Sequence, residues 1–175
     1  MGYGLTWLAA RGLDRTAVHH ALQLRPSGAR EEIAEAEYDG AQLPTGWYLV
    51  VAQSDALYGE GGEIGRQLSR GGEVVCCLVE EHVMVSAASC WRDGRMVWRV
   101  LHDPEKGLDH LSLEGDLPAG AAAMVTEAQA EAKANTELDH VFDTPCHIAK
   151  LVTGYRHDED IAGAGPDPYE VLEEM

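Results

Sequence analysis

Apolar residues fall along this chain in short runs divided by glycine, proline and acidic stretches, and most of the runs have the length of strands. Residues 3–10 (YGLTWLAA) read as the first strand. Residues 46–52 (GWYLVVA) are apolar without interruption, which suits a central strand covered on both faces. The most legible region is 73–102. Residues 73–79 (EVVCCLV) and 83–91 (VMVSAASCW) read as two strands and 96–102 (MVWRVLH) as a third. Arg92-Asp93-Gly94-Arg95 turns the chain between the last two, because aspartate and glycine both tolerate positive φ in a tight hairpin. With Asp93-Gly94 as the loop, Arg92 faces Arg95 and Trp91 faces Met96. Continuing that register sets Ser89 against Trp98, Ala87 against Val100 and Val85 against His102. One face then buries Val83, Val85, Ala87, Trp91, Met96, Trp98 and Val100.

Other segments are weaker signals. Residues 30–38 (REEIAEAEY) alternate Ala and Tyr with Glu at a period of two, and read as a charged edge strand. Residues 111–113 add a short strand after the 104–107 turn. Asp14 caps a helix over 15–22, whose Val18, Ala21 and Leu22 share a face. The 24–28 stretch (LRPSG) stops it with proline and glycine. Residues 64–69 form a short helix ended by Gly71-Gly72, and 121–137 is an Ala/Glu-rich helix. Thr144 as cap, Pro145 in the first turn and Gly154 beyond the end bracket another. Asp167-Pro168 introduces a helical turn over 169–175, after a short flexible linker at 162–166. The pattern predicts an α+β fold in one domain, 1–175. Its sheet is largely antiparallel with about five or six strands, and its helices pack mainly on one face.

Length and composition agree with a single soluble unit: 175 residues, 45% apolar and 25% charged. No apolar run reaches the roughly 20 residues of a membrane span. The first residues lack the basic and apolar parts of a secretory leader. Four cysteines without a C-x-x-C pair point to a reducing, cytoplasmic setting, with Cys76 and Cys77 as small buried hydrophobes.

Charge changes the picture more. Thirteen Lys and Arg stand against thirty Asp and Glu, for a formal net charge of −17. Direct binding of nucleic acid or of an anionic membrane surface is disfavoured, since both rely on basic side chains. The surplus is uneven. Residues 1–30 sum to +3 and residues 31–63 to −8, with no Lys or Arg in the latter. Residues 64–103 sum to zero, 104–143 to −7 and 144–175 to −5. Clustered carboxylates suit a basic protein partner, which complementary fields would steer into contact.

Motifs for chemistry are sparse, and no cofactor-binding motif is present. The glycines of 54–62 do not make a phosphate loop, because Glu60 and Glu63 repel anions and no Gly-Lys-Ser/Thr follows. His102-Asp103 and Asp109-His110 bracket a turn and would approach if it folds back, but no short zinc spacing occurs. Cys146-His147 opens a helix, yet adjacent helical side chains point about 100° apart, so this histidine does not serve that thiol. Ser86 and Ser89 lack a nucleophile elbow. The expectation is a non-enzymatic acidic protein that engages a basic partner, such as an immunity-type inhibitor of a toxin. Its binding residues would be Glu31, Glu32, Glu35, Glu37, Asp39, Glu60, Glu63, Asp158, Glu159 and Asp160. Two alternatives stand beside it. One is a metal-dependent or Cys/His hydrolase. The other is an oligomerising module that presents Trp7, Trp47 and helix 121–137 to a second subunit.

Overall fold

The computed structural model describes residues 4–59 and 62–175. Among the described residues, nine strands form one antiparallel sheet: β1 (Gly4–Arg11), β2 (Leu24–Glu31), β3 (Tyr38–Gln42), β4 (Tyr48–Ala52), β5 (Glu73–Glu80), β6 (Val85–Arg92), β7 (Arg95–His102), β8 (Ser112–Gly115) and β9 (Tyr169–Glu174). Their spatial order is β2-β9-β3-β4-β1-β5-β6-β7-β8. Four α-helices accompany them among the described residues: α1 (Arg15–Leu22), α2 (Glu63–Leu68), α3 (Ala121–Ala134) and α4 (Thr144–Thr153). Among the described residues, no helix is long and apolar enough to cross a membrane.

Side chains alternate across the sheet and divide into two cores. Leu5, Trp7 and Ala9 of β1 join Leu49, Val51, Val75 and Cys77 in the first, with Val125 of α3 and Cys146, Ile148 and Ala149 of α4. Leu8 and Ala10 point the other way, to Val50, Val74 and Cys76, with Val18 of α1 and the partly buried Ile64 and Leu68 of α2. Helical side chains thus reach both cores. Strands enclosed on both faces need apolar residues at every position, which explains the unbroken runs of β1, β4 and β5. Trp7 and Trp47 are wholly buried inside the chain, so neither is available to a second subunit. The rings of Tyr155 and Trp7 pack edge to face at a centroid distance of 5.2 Å.

The class is the predicted one, but the sheet has nine strands where about five or six were expected. The additions gather at one end. β2 covers the 24–28 stretch predicted as a turn, and β3 begins only at Tyr38, leaving 32–37 irregular. The tail after Asp167-Pro168, predicted as a helical turn, is strand β9 between β2 and β3. Asp143, not Thr144, is the cap residue of α4, while Gly154 takes the left-handed conformation at its end (φ 80°).

The 92–95 hairpin forms as predicted, with Asp93 and Gly94 at φ 49° and 77° and the pairs Arg92–Arg95 and Trp91–Met96. Beyond them the register departs by one residue. Cys90 pairs with Trp98, Ala88 with Val100 and Ser86 with His102, so Val97 is the extra residue of a bulge. Its carbonyl accepts the Asp116 N–H at 2.8 Å. Gly115 permits this approach, since a Cβ there would lie 2.1 Å from the same oxygen. The slip exchanges faces: Trp98 and Val100 join Cys90 and Ala88 in the first core, while Ala87 belongs to the second. Val83 precedes β6 and is exposed rather than buried.

Candidate functional site

The β2-β9-β3 end of the sheet carries a cleft of about 430 Å³ over the first core face. Its floor includes Leu5 of β1, Val51 of β4 and the ring of Tyr169 at the start of β9. One wall is 32–34, and the other is the segment that follows α4, from Tyr155 to Pro168. Gly154 turns the chain out of α4, and the Thr45 hydroxyl ties the helix end down by donating to the Thr153 carbonyl at 2.5 Å. Tyr155 drops into the core behind it, and its hydroxyl accepts from Tyr169 at 3.4 Å. Burial holds the Tyr155 phenol well above its ordinary pKa, with Tyr169 adding to the effect.

Four carboxylates from distant parts of the chain share this cleft: Glu32 on one wall and Asp158, Glu159 and Asp160 on the other. Arg156 fixes the second wall. Its Nε and Nη2 atoms donate to the two Asp158 oxygens at 2.6 and 3.0 Å, and Nη2 also lies 3.2 Å from Asp143 Oδ1. Burial alone would raise the Asp158 pKa, but the hydrogen bonds and charge of Arg156 outweigh it and hold the carboxyl below its ordinary range. Lys150 of α4 pairs with Glu159. Both cations are therefore committed to internal partners. His157, also on this wall, is pushed below its usual pKa by burial.

The opposite wall rests on two more acids. Glu31 Oε1 accepts the backbone N–H groups of Glu35 and Ala36 at 2.6 and 3.0 Å, and Asp39 Oδ2 accepts from Ala36 at 3.1 Å. Gln53 donates to the Ala34 carbonyl at 2.8 Å, and Arg30 reaches the carbonyls of Asp167 and Pro168, both at 2.9 Å. Asp39 is wholly buried. Burial first, then the charge and hydrogen bond of Glu31, push its carboxyl up to about 7. Ile33 stands on the cleft wall with 61% of its surface exposed, an apolar side chain among carboxylates.

The predicted binding residues are thus sorted by position. Glu32, Asp158, Glu159 and Asp160 line the cleft, Glu31 and Asp39 brace its wall, and Glu35 and Glu37 are exposed on the bracing loop. Glu63 sits on α2, whose apolar residues face the second core, and pairs with Arg66 at 2.9 Å. Glu60 lies outside the described residues. Sequence reasoning missed Ile33, Tyr155 and Tyr169 as cleft residues: the first two stand near acids in the chain but carry no local signal of a cleft, and the β9 pairing alone brings Tyr169 beside Glu31.

No family model, curated protein or solved structure matches this chain.

The histidine pair takes a different form. The turn after β7 does fold back: His102 Nδ1 donates to the His110 carbonyl at 2.7 Å, and the Asp103 N–H donates to His110 Nδ1 at 3.1 Å. His102 Nε2 lies 2.7 Å from Asp139 Oδ2, and the imidazole is wholly buried. Both ring nitrogens are occupied, so this group ties the β7 end to the loop ahead of α4. Among the described residues, no group of three or more His, Cys, Asp or Glu is placed to hold a metal ion. At the start of α4, Cys146 is buried, while His147 is exposed and contacts Arg156 through Nε2.

Proposed function

We propose that this chain is a binding protein whose acidic cleft receives a basic segment of a partner protein, in the manner of an immunity-type inhibitor seated on a toxin. The observation that carries this reading is the meeting of Glu32 with Asp158, Glu159 and Asp160 around one open cleft, from segments far apart in the chain. Asp158 is oriented by Arg156 before any partner arrives, which lowers the ordering cost of association. Exposed Ile33 supplies apolar contact for the stem of an arginine or lysine, while the carboxylates meet its head. The cleft joins attraction at long range to a shaped receptor at short range.

The test is a titration of the isotope-labelled protein with a short arginine-rich peptide, read through backbone amide shifts. Shifts concentrated at 31–34 and 155–161, and suppressed by added salt, are the expected result. Shifts spread over all acidic surfaces, or concentrated on the α3 side around 127–143, would remove the cleft from the reading.

A further inference from the structure

All four cysteines are free and buried, and their surroundings differ. Cys77, in the middle of β5, and Cys146, in the first turn of α4, bring their sulfurs to 3.8 Å although 69 residues separate them. Cys76 points to the opposite core, and Cys90 Sγ sits 3.5 Å from Glu73 Oε1.

We propose that Cys77 and Cys146 are a modification site, a dithiol that a peroxide closes to a disulfide and a thiol reductant reopens. The sulfurs are already in contact, and bonding distance of about 2.05 Å requires only a small approach of α4 to the sheet. Their roles are unequal. Cys146 lies in the first turn of α4, where the helix amides supply positive potential and local opening admits the peroxide, so its sulfur attacks it. One S–O bond forms, the O–O bond breaks, and the departing oxygen leaves as water. Burial keeps the Cys77 thiol well above its ordinary pKa, and it resolves the intermediate. Its sulfur attacks the oxidised Cys146 sulfur, the S–S bond forms, the S–O bond breaks, and the thiol proton leaves with hydroxide as a second water. Two thiols are oxidised and one peroxide is reduced to two waters. Entry of the peroxide follows local opening at the start of α4, so the reaction is slow in the closed fold. The product ties α4 to the middle of the sheet, immediately before the wall of the cleft.

The experiment exposes the native protein to hydrogen peroxide, quenches it with catalase, and alkylates it in denaturant before mass spectrometry. The expected product carries two alkylated cysteines instead of four, with a Cys77–Cys146 link in the fragment spectra. The link persists in Cys76→Ala, is absent from Cys146→Ala, and disappears on reduction. The unfolding midpoint of the oxidised form rises by on the order of 10 °C. A parallel sample in urea below the unfolding transition opens the helix start and speeds closure. Four free thiols in both samples would overturn the assignment. So would a link through Cys76 or Cys90, or sulfinic acid without a link.

Discussion

Replacing Asp39 by asparagine removes an ionisation that the fold resists, and the size of the effect follows from the geometry. The carboxyl is wholly buried on β3 beside Glu31. Its pKa moves from an ordinary 3.8 to about 7. At about 1.4 kcal/mol per unit, the ionised form costs the native state about 4 kcal/mol. The folded chain holds this proton while the unfolded chain has released it, so the contribution to stability falls as pH rises from about 4 to about 7. The asparagine side chain keeps an acceptor for the Ala36 N–H and cannot ionise. The stability of Asp39→Asn relative to the parent therefore increases by roughly 2–3 kcal/mol between about pH 5 and about pH 8. Urea unfolding of both proteins at the two pH values measures this difference, and other titrating groups largely cancel in it. Parallel stability profiles would refute the reasoning and show Asp39 ionised without penalty.

Two further substitutions test the packing of the fold away from the cleft. His102→Ala leaves the Asp139 carboxylate and the His110 carbonyl without their buried partner, and urea unfolding is expected to show a loss of roughly 3–5 kcal/mol. Gly65→Ala places a methyl group 2.4 Å from Trp91 Cδ1, which is buried against α2. Its expected cost in the same assay is roughly 1–3 kcal/mol, with a change in tryptophan fluorescence.

What the sequence revealed depended on how local each cause is. The β5–β6–β7 meander was legible because apolar alternation and an Asp-Gly turn act within a few residues. Its register failed at Val97, where the bulge is held by Gly115 and Asp116 from the next strand, and Val97 itself only prolongs an apolar run. β2 and β9 escaped notice for a related reason. Leu24–Glu31 contains proline and glycine, and Tyr169–Glu174 is half glutamate, so neither resembles a strand until the other pairs with it. The acids of the cleft were visible as charge clusters, but charge alone did not distinguish rim from support. Asp39 reads as one more surface carboxylate, yet β3 lies between β9 and β4 in the sheet and the side chain is wholly buried. Glu63 belongs to an equally acidic stretch and faces away. The contact of Cys77 with Cys146 has no local signature at all.

The central claim is that Glu32 and Asp160 act together across one cleft to hold a basic segment. Calorimetric titration of the short arginine-rich peptide into the parent and the Glu32→Lys/Asp160→Lys variant, at low and at high salt, tests it most directly. The account predicts an affinity that falls with salt in the parent, and a loss of at least roughly tenfold at low salt in the variant, with unchanged stability. Equal affinities in the two proteins would contradict it.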